Sequence, residues 1–378
     1  MTKNLHILFL CSWFPSKEFP TNGDFIQRHA EAVGLKHKVS VLHIVSSKKV
    51  TKTTIERNID ANLTTFIGYV KQTQNPLLKV IQFYKTYKEI LRLIGDYDVI
   101  HVNKLYPFGI FALHQKKIKN KPYLITEHWT GYLNARKNKI PFFEQFWSKL
   151  IVKNANYICP VSDELKKGML NSGLKGNYFP IGNVIDTNVF IPSDKKNNEF
   201  TIVHVSGFND EQKNISDMLK VAKFLENEID VFTWKFIGGA KEKYQKLISE
   251  LKFKTAKIKF INHVSQTELV KELQNASICV SFSNYETFGI VMLEAIACGT
   301  FLVSTNTGIL NEVKKQNYFS IIPTKDKKAL ANEIINQYQN PTKIDTTEMH
   351  SFVKTKFSRE IISNAFSNLY LKTLNTNS

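Results

Sequence analysis

Two glutamates with seven residues between them, Glu286 and Glu294, stand in the stretch "SNYETFGIVMLEAIACGT". Glu286 falls in a polar, glycine-containing break, and Glu294 falls inside "IVMLEAIA", which reads as a helix with no polar face. A helix apolar all round is a buried one, and a buried carboxylate must find hydrogen-bond donors or shift its pKa. For Glu294 two sources are open: amides or hydroxyls of the protein, or the hydroxyls of a bound ligand. Were the eight-residue step helical throughout, the two carboxylates would stand about 12 Å apart. A pair that cooperates in glycoside hydrolysis sits at roughly 5–9.5 Å. The longer spacing suits the gripping of two ends of one elongated ligand. Between them, the backbone N–H groups of Phe288, Gly289 and Ile290 would open the helix and seat a phosphate. Hydroxyls at both ends with phosphates in the middle describe a nucleotide sugar.

Such residues need a scaffold, and short β-rich runs alternate with helical patterns along the whole chain. Strands are expected at 5–10, 39–45, 99–102, 122–126 and 157–161, and then at 201–206, 234–238, 258–262, 278–283 and 301–305. Between them lie amphipathic segments such as "ISDMLKVAKFLENE", with apolar residues at i, i+3, i+4 and i+7. Strand–helix alternation implies parallel sheets covered on both faces. The fold class is therefore α/β, with two doubly wound Rossmann-like domains, 1–186 and 187–357, joined near 184–198 where the chain turns polar. A last helical stretch, 358–374, is compatible with either domain and is assigned to the first. Ligands of open parallel sheets bind beyond the carboxyl ends of the strands. The segments that follow the strands here include "CSWFPSKEFPTNGDF", "EHWTGY", "GFNDEQKN", "HVSQ", "NYETFG" and "NTGILNE". Polar, glycine and ionisable residues thus gather at one edge of each sheet, which predicts a ligand cleft where the two domains face each other.

Composition narrows the function classes. A chain 43% hydrophobic and 22% charged is globular. The four cysteines (Cys11, Cys159, Cys279 and Cys298) form no CxxC or Cys/His cluster, so reduced core thiols are expected rather than a zinc site. The start, "NLHILFLCSWFPS", reads as a strand entering a loop and not as a leader. No apolar run approaches the roughly 18 residues of a membrane span. A cytoplasmic protein is expected, with a peripheral position on the inner face of the cell membrane kept beside it. The net charge of +18 is uneven: residues 1–190 hold 27 Lys+Arg against 13 Asp+Glu. That asymmetry suggests an anionic partner for the first half, whether a membrane surface, a lipid phosphate or a nucleic acid. Within it, "ARKNKIPFFEQFWSKLIVK" (135–153) interleaves basic and aromatic residues. It is either a membrane-interface helix through Phe142, Phe143, Phe146 and Trp147, or an amphipathic helix covering its own domain.

"ETFGIVMLEA" resembles the E-x7-E signature of retaining glycosyltransferases with the two-domain GT-B fold, specifically glycosyltransferase family 4. The likeness extends through "PTNGDFIQRHAEAVGLKHKVSVL", "LITEHWTGY", "PVSDELKKGM", "PIGNVIDTNVFIP", "GFNDEQKNISDML" and "STNTGILNEV". It implies that Glu286 meets the hydroxyls of the donor sugar and that Glu294 binds the ribose. The amides around Phe288, Gly289 and Ile290 would hold the diphosphate, and Lys213 would neutralise it as it leaves. His128 would lie beside the transferred sugar, Gly23 would let the chain approach the phosphates, and Asn262 and His263 would complete the donor site. One departure stands out: the arginine that the family commonly carries five residues before this lysine is Phe208 here, which cannot copy a bidentate grip. "DYD" at Asp96 to Asp98 imitates a metal-binding DxD, but it precedes a strand and so belongs to the amino edge. No cofactor and no metal are expected. The expected partners are a nucleotide-diphosphate sugar, a glycan or lipid-linked acceptor and an anionic membrane surface, with no nucleic acid. Sugar transfer for surface polysaccharide or lipopolysaccharide is the leading function. A nucleotide-sugar epimerase and an inactive nucleotide-sugar-binding protein are the alternatives.

Overall fold

Ile7, Leu8, Phe9 and Leu10 are all fully buried, although consecutive residues of a strand point to opposite faces. Their sheet must therefore be covered on both sides. The computed structural model describes residues 4–135, 140–193, 199–313 and 316–375. The first unit runs β1 (His6–Cys11), α1 (Asp24–Gly34), β2 (Lys38–Ser47), β3 (Thr54–Asp60), β4 (Leu63–Lys71), α2 (Pro76–Ile94), β5 (Val99–Asn103), α3 (Gly109–Lys119), β6 (Tyr123–Glu127), α4 (Phe142–Asn154), β7 (Tyr157–Pro160) and α5 (Asp163–Asn171). Its sheet has the order β3-β4-β2-β1-β5-β6-β7. All neighbours are parallel except β3, which runs antiparallel to β4.

The second unit runs β8 (Thr201–Val205), α6 (Asp210–Lys213), α7 (Ile215–Leu225), β9 (Phe232–Ile237), α8 (Gln245–Leu251), β10 (Ala256–Ile261), α9 (Gln266–Gln274), β11 (Ile278–Ser281), α10 (Ile290–Ala297), β12 (Phe301–Thr305), β13 (Phe319–Ile322), α11 (Lys327–Gln339) and α12 (Thr346–Phe357). Its strands, in the order β10-β9-β8-β11-β12-β13, are all parallel. The chain then returns: α13 (Arg359–Asn375) belongs to the first unit, so the division falls after Val184 and again after Ser358. The expected boundaries were 186 and 357. Residues 194–198 of the expected linker and 136–139 of the basic-aromatic stretch lie outside the described residues.

Sequence reasoning missed the β3–β4 hairpin. Its turn carries Ala61 at φ 47°, where a glycine or asparagine would have announced the reversal. β3 itself is a mostly exposed edge strand bearing Glu56, Arg57 and Asp60, which is how edges resist further pairing. β13 is four residues long, too short to show a period.

Helix α13 packs on α1. It buries Phe366 and Tyr370 completely and ties in through polar contacts. Tyr370 Oη lies 2.7 Å from His101 Nδ1, Ser367 Oγ lies 2.8 Å from His37 Nε2, and Arg359 pairs with Glu31 at 3.1 Å.

Phe208 joins the core of the second unit, with Phe236, Tyr244 and Phe260 at ring-centroid distances of 6.5, 6.2 and 5.7 Å. Its φ of 54° turns it inward, and Gly239 makes room, because a Cβ there would lie 2.3 Å from Phe208 Cγ. The residue standing where a phosphate-binding arginine was sought is thus structural. Phe208→Arg should lower the stability of this unit by about 3–5 kcal/mol, the cost of an unpaired buried charge. Donor affinity should not tighten; urea melts and nucleotide titration of the variant check both parts.

Three histidines fully enclosed in the two cores, His29, His43 and His204, donate to the carbonyls of Gly182, Cys11 and Val280. Burial lowers the pKa of His29 and His43 to about 4 and that of His204 to about 3, from 6.5. Below pH 6.5 the unfolded chain therefore binds more protons than the folded one, and stability falls with the pH until each folded value is passed. Each histidine contributes a slope of up to about 1.4 kcal/mol per pH unit. Urea midpoints should drop steeply between pH 7 and pH 5, and a flat profile there would contradict this origin.

Candidate functional site

The loop after β8 and the loop after β11 leave adjacent parallel strands at the same edge, and side chains join them. The four-residue helix α6 ends at Lys213, and Asn214 reverses the chain into α7 with a left-handed φ of 54°, a conformation asparagine tolerates. This directs Lys213 to the β11–α10 loop, where its ammonium donates to Glu286 Oε1. The same oxygen accepts the Ser283 hydroxyl at 2.7 Å. Gln212 Nε2 donates to Glu286 Oε2 at 3.4 Å and to the Tyr285 carbonyl at 3.1 Å. Main-chain and amide contacts close the junction: Asn284 N–H donates to Gln212 O at 2.7 Å, and Asn214 Nδ2 donates to Phe282 O at 2.8 Å. The side chains of Lys213 and Glu286 keep 19% and 10% exposure, so the pair is open to a ligand on one side.

Glu286 does not share a helix with Glu294, because α10 starts at Ile290. Gly289 is its N-cap at φ 90°, and no side chain caps that end. Phe288 is buried, and its carbonyl accepts from Ile309 N–H at 2.9 Å. The approach depends on Gly308, at φ 59°, where a Cβ would lie 2.4 Å from Phe288 O and 3.0 Å from Glu286 Cβ. Glu294 is 2% exposed on a helix whose other residues are apolar. It interacts within the protein already, so of the two sources open to it the protein itself supplies one. After burial itself, the Glu294 carboxylate is the further cause that pushes the Cys279 thiol up to about 12. Asn262 and His263 are exposed just past β10, three strands from β11, or about 14 Å at ordinary strand spacing. The structure does not bring them to Glu286 through its hydrogen bonds.

In the first unit, Gly23 caps α1 at φ 80°. A Cβ there would lie 2.8 Å from the carbonyl carbon of Trp13, so glycine is required for the approach of the two loops. His128 follows β6, with the Phe25 ring at 4.6 Å and His29 at 5.5 Å. It is buried, yet neither ring nitrogen has a hydrogen-bond partner among the described residues. Burial first, and then neighbouring His29 and His101, hold its pKa well below the ordinary value. It is therefore neutral, with one donor and one acceptor unmet.

Sequence reasoning passed over several neighbours. Glu127 is wholly buried and accepts from the N–H groups of Leu105, His128 and Trp129, each at 2.8 Å. Lys104 lies over the Trp13 and Trp129 rings at 4.4 and 5.4 Å. Ser283 and Gln212 hold Glu286. The sequence signalled these only by position, each being within three residues of a residue already chosen or just past a strand. Asp98 of "DYD" accepts from His6 N–H at 2.7 Å, and Asp96 pairs with Lys121 at 2.7 Å, both at the amino edge.

Comparison with known proteins agrees with this architecture. Residues 28–189 match the model described as Glycosyltransferase Family 4, and residues 186–354 match Glycosyl transferases group 1. A probable sucrose-phosphate synthase of Thermosipho melanesiensis is 26% identical over 292 residues, 70% of this chain and 68% of that protein. Sucrose-phosphate synthase of Thermosynechococcus elongatus superposes with a TM-score of 0.79 at 19% identity, over 98% of this chain and 100% of that one. HepE of Anabaena, solved with UDP and glucose, superposes with a TM-score of 0.71 at 15% identity, over 98% and 100%. With consecutive glycosyltransferase models spanning both units and two doubly wound parallel sheets beneath them, the chain is a family 4-like glycosyltransferase of the GT-B type.

Proposed function

We propose that the protein is a retaining glycosyltransferase that moves a sugar from a nucleotide-diphosphate sugar to a hydroxyl of a glycan or lipid-linked acceptor, in the making of surface polysaccharide or lipopolysaccharide. The observation that carries this reading is the Lys213–Glu286 pair, held by Ser283 beside the uncapped start of α10. A carboxylate that accepts sugar hydroxyls and an ammonium that meets phosphate stand in contact, ready to exchange each other for the two parts of one donor. A uridine nucleotide is the first donor to test, since the HepE relative was solved with UDP.

In this reading the bond between the anomeric carbon and the diphosphate oxygen breaks, and the acceptor oxygen bonds the same carbon from the same face. The acceptor proton passes to the departing phosphate. Lys213 and the N–H groups from Phe288 to Ile290 stabilise the charge that develops there, as fixed donors do at an oxyanion. Glu286 positions the sugar, Glu294 the ribose, and His128 offers its unmet ring nitrogens to the sugar hydroxyls. Gly23 admits the phosphates, and Asn262 and His263 line the outer part of the donor site. No metal enters these roles.

Glu286→Ala should lower transfer from UDP-glucose by at least about 10²-fold while leaving the fold intact, read by release of UDP; full activity in the variant sinks the assignment. Transfer is expected to persist in a metal chelator. The product should keep the donor's anomeric configuration by NMR, and an inverted product would remove the retaining mechanism.

A further inference from the structure

A cavity of about 1110 Å³ is lined wholly by residues of the first unit. Its volume exceeds the ordinary range of roughly 300–1,000 Å³ for small-molecule sites. Its lining includes Ser12 and Trp13 just past β1, Lys104 just past β5, and Asn22 before α1. Asn22 precedes Gly23, and the Trp13 backbone abuts that glycine, so this part of the lining adjoins the loop assigned to the donor phosphates. From there the wall becomes apolar: Val80, Phe83 and Tyr84 of α2, Phe111 of α3, and Phe143 and Trp147 of α4.

The apolar character continues to the outer surface. Leu77, Val80 and Ile81 on α2 are 76%, 65% and 49% exposed, and Phe142, Phe143 and Phe146 on α4 are 84%, 63% and 50% exposed. A water-soluble glycan has no use for such a rim, whereas an aliphatic chain entering from a bilayer does. The polar lining is cationic: Lys48, Lys49, Lys79 and Lys104 against the single acid Glu18, which lies 3.8 Å from Lys49. Two further lining atoms, Trp147 Nε1 and His114 Nδ1, are buried without a partner among the described residues. Apolar length with basic charge matches one kind of occupant, an amphiphile with a phosphorylated head.

Resting on the transferase reading, we propose that this groove binds the acceptor, and that the acceptor is a saccharide carried through a phosphate or diphosphate on a long aliphatic chain. The chain lies along α2, α3 and α4. The lysines hold the phosphate, and the saccharide hydroxyl reaches the carboxyl edge beside Gly23.

Farnesyl diphosphate serves as the probe, with inorganic pyrophosphate as the head alone, titrated calorimetrically against the full-length protein. Farnesyl diphosphate should bind at least tenfold more tightly than pyrophosphate. Val80→Glu and Phe143→Glu, both at exposed positions that the fold tolerates, should each weaken it at least tenfold. Lys48→Glu with Lys49→Glu should do the same, while the thermal shift given by UDP or UDP-glucose stays unchanged in every variant. Equal binding of the two probes, or indifference of the variants, overturns the proposal. So does loss of binding to phosphatidylcholine–phosphatidylglycerol vesicles in Val80→Glu and Phe143→Glu with farnesyl diphosphate affinity intact, because the rim then serves a membrane surface. A nucleotide shift that survives such a failure leaves the transferase standing. Farnesyl diphosphate binding without any nucleotide effect leaves the groove and removes the transferase.

Discussion

A carboxylate and an ammonium taken largely out of water must each recover the hydrogen bonds they gave up, and the ligand edge of the second unit is folded around that requirement at Glu286. Lys213 and Glu286 are 73 residues apart in sequence, yet their loops follow β8 and β11, which pair in the sheet. Pairing of parallel strands puts the loops side by side without choosing their conformations. The choice comes from the polar groups. Ser283 and Gln212 supply further donors to the carboxylate, while Asn214 and Asn284 fasten one main chain to the other. Gly308 then lets the third loop close against Phe288. The ion pair is less a source of stability than a fixed point, since its attraction is spent largely against desolvation.

The first unit uses the opposite arrangement at the same edge. Glu127 ends β6 and His128 follows it, yet the two side chains meet different surroundings. Glu127 takes three backbone N–H donors and thereby fixes the loops after β5 and β6. His128 takes none from the described residues. A satisfied group anchors the backbone beside an unsatisfied one. That is the pattern expected where a protein gives up some stability to keep a polar group available.

The α/β alternation, ten of the strands and the helical character of 290–297 were legible in the sequence because buried parallel strands read as unbroken apolar runs. The β3–β4 hairpin was not, since Ala61 carries a backbone conformation that its side chain does not advertise. Among the candidate site residues, Glu286 was picked out by motif spacing and Lys213 by the family resemblance, but their direct contact was not legible, because no local pattern links residues on two loops. The place of Phe208 in the core was illegible for a related reason. A position in an alignment-like pattern says where a residue sits along the chain, whereas φ decides whether its side chain faces ligand or core. The wide apolar groove was illegible because its wall is assembled from three helices, each of which alone looks like an ordinary amphipathic element.

The return of α13 to the first unit has a consequence in time. His101 meets Tyr370 across 269 residues, and everything from Ile185 to Ser358 intervenes. On a ribosome, the second unit has all its residues in hand while the first still lacks the helix that covers α1 and encloses His29, His37 and His101. Loop-closure entropy sets only a modest price on so distant a contact, but it cannot form before the residues exist. The order of synthesis is therefore the reverse of the order of completion: the unit made first is sealed last, and until then α1 and the sheet beneath it wait with one flank uncovered.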